Sequence, residues 1–206
     1  GHHRRQRQMC IRDSFSAQAD EALATALALS DDVTDAAGYE AVLRAYSAPF
    51  RDGHFGVGPK YQNIDPILDA SSKQQWPGIF LGWRAGRFTV LHALEDAGVN
   101  AGATLLSCDG VDADALMHRD VFRFLRDKPD QHSYWAQVGY QLLVKGQNPF
   151  QPFYKRCVFD QDGHQNEVTL KWRELDEDVS RKLRRKARFG VRPTLGMDEI
   201  QELSLI

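Results

Sequence analysis

Cysteine is scarce in this sequence, which has only Cys10, Cys108 and Cys157 among its 206 residues. No two of them form a Cys-x-x-Cys pair, so neither a zinc knuckle nor a dithiol redox motif is expected. Buried free cysteines pack as small apolar side chains. We expect that role for Cys108 and Cys157, and a disulfide between them is the alternative.

Long apolar runs and an excess of charge of one sign are also absent. No stretch approaches the roughly 18 apolar residues that a membrane-spanning helix needs, and the start has no apolar signal core. The 26 basic and 28 acidic residues give a formal net charge of -2. Proteins that bind nucleic-acid phosphates usually have an excess of basic residues, which this sequence does not have. The sequence therefore predicts neither a membrane-spanning segment nor a nucleic-acid partner.

Residues arranged to hold a metal or a cofactor are missing as well. The histidines from residue 92 onward do not pair with Cys, Asp or Glu at metal-ligand spacing. His2 and His3 belong to the opening stretch GHHRRQRQMCIRDS. This stretch resembles translated adapter sequence, so the two histidines imply no metal site. We expect residues 1–14 to be a non-native leader and leave them out of the fold prediction.

Two helices are predicted at the start of the remaining chain. The apolar content of 42% suffices for one or two domains. Alanine and leucine dominate from Ala17 to Leu29, which favours a helix. A second helix is predicted over 35–48, because apolar residues recur there at helical spacing between the N-cap candidate Asp35 and Pro49. These helices predict a small helical N-terminal domain over residues 15–75.

Strand patterns follow from residue 79 onward. A hairpin is predicted over 79–94 around Ala85-Gly86, and a short strand over 104–108 is closed by Asp109-Gly110. A helix is predicted over 112–126, and the spacing in 134–144 fits a helix better than a strand. Two antiparallel strands are predicted over 153–159 and 167–172. The fold class is therefore α+β.

Five positions between residues 97 and 110 carry a turn-and-strand signature: Ala97, Gly98, Gly102, Asp109 and Gly110. With the order of elements around it, this stretch resembles the circularly permuted PDZ domain of C-terminal processing (tail-specific) serine peptidases of bacteria. The alternative is a small β domain with ordinary turns. The resemblance implies a PDZ-like domain over 76–175, and then a charged linker with the first segment of a truncated α/β catalytic core over 176–206.

The resemblance also implies where a ligand binds. PDZ-like domains add an extended peptide as a strand to an open sheet edge, and backbone N–H groups capture its terminal carboxylate. The corresponding loop runs from Trp76 into the first strand of the hairpin. The implied partner is the C-terminus of a polypeptide substrate, and the implied peptide-binding residues are Gly78, Ile79, Phe80, Leu81 and Gly82.

A second motif, Asp52-Gly53-His54, precedes this domain. A histidine in a glycine-containing loop can act as a general base, because an unperturbed imidazole titrates near neutral pH. The motif resembles the Asp-Gly-His-Thr loop of the Ser-His, tricorn-core-like branch of the same peptidases, with Phe55 in place of the threonine. By this resemblance, His54 is the catalytic candidate.

The nucleophile that this branch requires is not recognisable in the sequence, since no Gly-x-Ser-x-Gly occurs and no serine lies in a glycine-rich strand-to-helix turn. We therefore expect the N-terminal fragment of a serine endopeptidase that is inactive by itself. The alternative is a non-catalytic peptide-binding or regulatory module. The resemblance implies a bacterial cell-envelope or periplasmic location, and no cofactor.

Overall fold

The computed structural model describes residues 2–50, 74–125, 129–146 and 148–189, with the backbone alone for residues 2–15, 188 and 189. The fold class is α+β, as predicted. The helices are α1 (His2–Ser30), α2 (Ala36–Ser47), α3 (Ala113–Leu116), α4 (His132–Val138) and α5 (Glu177–Phe189). The strands are β1 (Gln75–Trp76), β2 (Ile79–Arg84), β3 (Arg87–Ala93), β4 (Thr104–Cys108), β5 (Val111–Asp112), β6 (Arg156–Gln161), β7 (His164–Thr169) and β8 (Arg173–Glu174). None of the helices in the described ranges is long and apolar enough to cross a membrane.

The two N-terminal helices pack against each other as a hairpin. The predicted cap of α2 is confirmed, because the Asp35 carboxylate accepts a hydrogen bond of 2.7 Å from the Gly38 amide. Helix α1 is longer than predicted, since its backbone is helical from His2 rather than from residue 17. The interface between the helices is apolar and also receives Phe124 from a later turn, so the hairpin is packed onto the rest of the fold.

An antiparallel sheet forms the centre of the described fold. Its strands are ordered β2-β3-β4-β6-β7, and β5 pairs with β4. The β2–β3 hairpin is confirmed, and its turn residues Ala85 and Gly86 have φ angles of 48° and 78°, as a two-residue hairpin turn requires. A separate pair, β1 with β8, joins the two ends of the 75–174 region. Strand β2 therefore lies at one end of the sheet, and β7 at the other.

The expectation of two free thiols is wrong, because Cys108 and Cys157 form a disulfide. The two residues lie directly opposite each other on β4 and β6, with their Cα atoms 4.0 Å apart. Both are fully buried at 0% exposure. The alternative named from the sequence is therefore the correct one, and the strand register brings together two cysteines that are 49 positions apart.

The helix predicted over 112–126 is interrupted. Helix α3 ends at Leu116 and continues as a π-helical turn (Met117–Val121) and then a 3-10 turn (Phe122–Phe124). The wide turn includes Asp120, which accepts a hydrogen bond of 2.6 Å from the hydroxyl of Tyr154. A contact with a residue 34 positions later thus accompanies the irregularity, and helical periodicity could not have revealed it.

Candidate functional site

The predicted peptide-binding residues lie on and just before β2, and their side chains are in the protein interior. Ile79, Phe80 and Leu81 are each 0% exposed. Ile79 and Leu81 face the main core, whereas Phe80 faces the opposite side and stacks on Tyr140 at 5.4 Å between ring centroids. Both faces of the strand are therefore covered, and only its backbone edge is suited to strand addition.

The two glycines of the predicted loop have distinct structural roles. Gly78 has a φ angle of 79°, and its carbonyl accepts a hydrogen bond of 2.9 Å from the Leu94 amide. A Cβ added at Gly82 would lie 2.4 Å from Cδ1 of Leu91, so the Leu91 side chain would have to shift. Leu91 is the extra residue in β3, opposite the register shift between Phe80 and Leu81. These glycines shape the start and the bulge of the hairpin.

A second wall of the candidate site is helical. It begins at α3, where Asp112 is the N-cap and accepts hydrogen bonds from the amides of Asp114 and Ala115 at 2.9 and 3.3 Å. The π-helical turn Met117–Val121 extends this helix. The space between it and β2 is the candidate groove.

The chain itself fills this groove with residues 132–142, which we call the 132–142 segment. It consists of α4 and the following 3-10 turn, Gly139–Leu142. The 3-10 turn contacts both β2 and the π-helical turn. On the sheet side, the ring of Trp135 lies 4.5 Å from that of Trp83, and on the helix side it lies 5.1 Å from that of Phe122. Trp135 therefore bridges the two walls.

Gly139 lies close to the backbone of β2. A Cβ added there would lie 3.3 Å from Cε1 of Phe88, 3.5 Å from Cβ of Trp83 and 3.6 Å from the backbone nitrogen of Trp83. Among the described residues, β2 pairs with β3 alone, and no backbone hydrogen bond joins β2 to the 132–142 segment. The segment thus covers the edge without pairing with it.

A buried polar group lies beside the groove. The Asp120 carboxylate accepts two hydrogen bonds of 2.7 Å from the Arg119 guanidinium and one of 2.6 Å from the Tyr154 hydroxyl. Burial and the hydrogen bond to Asp120 raise the pKa of Tyr154, and the hydrogen bond to Asp120 raises the pKa of Arg119. Asp120 also lines a cavity of about 260 Å³ together with Tyr140 and Gln141. Its bonding partners identify Asp120 as a structural anchor for the helix wall.

The catalytic candidate His54 lies outside the described residues. The chain before it is described to Phe50, in a 3-10 turn that contacts the Phe122–Phe124 turn. Pro49 of this turn lines a cleft with His118 and Arg119. Within the described ranges, no group of three His, Cys, Asp or Glu residues could hold a metal ion.

Two features of the site were missed in the sequence. The apolar spacing of 134–144 predicted a helix correctly but could not show that Trp135 and Gly139 lie along β2. The Arg119–Asp120–Tyr154 cluster had no sequence signal, because Tyr154 comes from an irregular segment before β6. The one local sign of close packing between this helix and β2 is a glycine, Gly139, at the end of the short amphipathic helix.

Comparison with known proteins gives little to set beside this geometry. No protein-family model matches the sequence, and no curated protein matches it. Among solved structures, the chain is similar to one described as "Structure of mature CPAF complexed with lactacystin", with 15% sequence identity and a TM-score of 0.48. The similarity covers 68% of this chain and 26% of that chain, so this chain spans about a quarter of its length. At this identity the likeness concerns only the course of the backbone.

Proposed function

We propose that this chain is part of a serine endopeptidase of the C-terminal processing type, and that residues 76–175 form its PDZ-like peptide-binding module. One observation carries the proposal. Gly98, Gly102, Asp109 and Gly110, four of the five signature positions, have φ angles of 73°, 96°, 47° and 79°. Such angles favour glycine and tolerate aspartate, so the residues of the signature have a conformational reason to be where they are.

In the proposed mode of binding, the tail of a substrate polypeptide adds as a strand to the outer edge of β2. The loop at Gly78 supplies amides to its terminal carboxylate, and the strand edge supplies the remaining backbone bonds. The position of β2 at one end of the sheet is compatible with this mode. Specificity is expected to be broad, because main-chain bonds contribute most of the contacts.

For the chemical step, we propose His54 as the general base. It would accept the proton of a serine hydroxyl as that oxygen attacks the scissile carbonyl carbon, and later donate the proton to the leaving amine. The serine is proposed to come from a part of the enzyme outside these 206 residues. The Asp-Gly-His motif upstream of the module supports this assignment.

The disulfide supports a compartment for the proposed enzyme. Stable disulfides persist in oxidising environments such as the bacterial periplasm and are rare in the cytosol. The Cys108–Cys157 bond is fully buried between two strands. A cell-envelope or periplasmic location is therefore part of the proposal.

Capture of a free C-terminus can be tested by titration. We expect fluorescein-labelled random-sequence decapeptides with a free C-terminal carboxylate to bind about tenfold more tightly than the same peptides with an amidated end, which corresponds to about 1.4 kcal/mol. Fluorescence anisotropy gives both dissociation constants. Equal affinities for the two forms would contradict carboxylate capture.

A matched pair of glycine variants localises the binding. Gly78 and Gly86 have almost the same φ angles, 79° and 78°, so alanine adopts a similarly unfavourable φ at both positions, and at Gly78 the added Cβ also lies 3.2 Å from Cδ1 of Leu94. Gly78→Ala is expected to weaken binding of the free-carboxylate peptides, and Gly86→Ala, at the hairpin tip, is expected to leave it unchanged. Equal losses in both variants would indicate a general effect on the fold.

The peptidase part of the proposal is tested at the gene. Sequencing the genomic locus past the codon for Ile206 is expected to show an open reading frame that encodes a serine in a glycine-rich turn between a strand and a helix. A stop codon directly after that position would favour the non-catalytic peptide-binding module instead.

A further inference from the structure

We infer that the 132–142 segment is an internal competitor for the β2 edge: the structure is the closed form of the module, and a polypeptide tail binds only when this segment moves aside. The inference rests on the proposed peptide-binding function and adds the regulation of that site. It follows from the direction of the β2 backbone groups, from how the segment covers them, and from what holds the segment in place.

The first step concerns the outward-facing groups of β2. In a hairpin with a two-residue turn, the closing residues exchange backbone hydrogen bonds, and the next pair points its amides and carbonyls away from the partner strand. Here the closing pair is Arg84 and Arg87. By this alternation, the backbone groups of Trp83 and Leu81 face outward, toward the position of an added strand. The proximity of Gly139 to the Trp83 nitrogen agrees with this direction.

The second step is that the segment occupies this position without replacing the missing strand. None of its backbone groups forms a hydrogen bond with the β2 backbone among the described residues, and the Gly139 amide, for example, donates to the Trp135 carbonyl. Buried backbone groups without hydrogen-bond partners destabilise a fold. The Trp83 carbonyl is satisfied by its neighbour, the Arg84 guanidinium, at 2.9 Å. An incoming strand would offer the edge the regular pairing that a helical segment cannot offer.

The third step is that side-chain packing holds the segment. Trp135 contacts aromatic rings on both walls of the groove, its indole N–H donates to the Pro129 carbonyl at 2.7 Å, and Tyr140 stacks on Phe80. The Gln151 side chain donates to the Gln141 carbonyl at 2.5 Å. In the closed form, apolar side-chain contacts therefore take the place of backbone hydrogen bonds at the edge of β2. Weakening these contacts should let the segment move away from that edge.

Gly139→Ala is the variant that tests the inference. Gly139 has a helical φ of -56°, so alanine fits its backbone, but the new methyl group would press on Phe88 and Trp83. The matched control is Gly146→Ala, where an added Cβ meets nothing within 4 Å. The amides of Leu81 and Trp83 are expected to exchange hydrogen about fivefold faster or more in Gly139→Ala than in the wild type or the control. The Cys157 amide, in the sheet interior, is expected to be unaffected.

Binding gives the second measurement. The free-carboxylate random decapeptides are expected to bind Gly139→Ala about fivefold more tightly than the wild type. Destabilising the closed form raises the fraction of molecules whose β2 edge is open, and the apparent affinity rises with that fraction. Gly146→Ala should bind like the wild type. If Gly139→Ala does not fold, Trp135→Phe replaces it, with Trp172→Phe as its control. Each of these two changes removes one indole hydrogen bond, to Pro129 or to Tyr154.

The outcomes separate the two proposals. Faster exchange at Leu81 and Trp83 together with tighter binding supports both. Faster exchange with no peptide binding supports the inference that the segment can move away from β2, but it contradicts the proposed peptide-binding function. Unchanged exchange, or exchange in step with that of Cys157, overturns the inference, because the segment would then be a permanent part of the core. Tight wild-type binding that Gly139→Ala leaves unchanged overturns the inference as well and keeps the peptide-binding function.

Discussion

Replacing both Cys108 and Cys157 with alanine is expected to lower the free energy of unfolding by about 4 kcal/mol. The disulfide links residues 49 positions apart, and in the chain-entropy model a loop of this length restricts the unfolded chain by about that amount at 25 °C. The bond also joins β4 to β6 in the middle of the sheet. Its loss is therefore expected to affect the whole module rather than one edge.

This change can be measured by urea denaturation, with tryptophan fluorescence as the signal of unfolding. The reductant supplies a control: full reduction of the wild-type protein, carried out in denaturant, should lower its stability by a similar amount. The same treatment should have no effect on the double-alanine variant. A wild-type unfolding midpoint that is insensitive to verified reduction would contradict the prediction.

Asp120→Ala is expected to lower the free energy of unfolding by about 3 kcal/mol. The change leaves the nearly buried hydroxyl of Tyr154 without its acceptor and removes both bonds from Arg119. Hydrogen bonds to charged groups contribute about 1.5–3 kcal/mol each. The Arg119 side chain is half exposed, so water satisfies it in the variant, and the loss should come mainly from the Tyr154 bond and the lost packing.

Tyr154→Phe separates these contributions. It removes one bond to Asp120 and leaves the Arg119 pair, so a smaller loss of about 1–2 kcal/mol is expected.

Tyr154→Phe should also change the pH dependence of the free energy of unfolding. Because the pKa of Tyr154 is raised in the fold, the wild type should keep this stabilisation below pH about 10 and lose it as the pH rises further. Urea titrations at several alkaline pH values should show a shallower decline in Tyr154→Phe. Equal declines would argue against the buried phenol.

For the candidate site, these anchors have a specific consequence. The Asp120 cluster fixes the helix wall of the groove, and the disulfide fixes the sheet. The 132–142 segment, in contrast, makes no backbone hydrogen bond to β2 among the described residues. If the groove is to open, we therefore expect the segment to be the part that moves.

Local chemistry was sufficient for the turns, caps and strands of this protein. Asp35 caps α2 because a short acidic side chain can reach the free amides of the first helical turn. The pairs Ala85-Gly86 and Asp109-Gly110 reverse the chain because their φ angles are positive, and such preferences belong to a few neighbouring residues. The order of the hairpin, short strand, helix and final strands could therefore be predicted from the sequence.

The contacts that decide how the site works join distant parts of the chain. The Cys108–Cys157 bond, the Asp120–Tyr154 bond and the position of Trp135 against Trp83 connect residues that are 49, 34 and about 50 positions apart. No local preference encodes such pairings, because they depend on strand register and on which apolar surface fills which gap. The sequence by itself determined an α+β chain with a hairpin over 79–94, and only tertiary packing decided that β2 lies at one end of the sheet and is packed against the chain's own 132–142 segment.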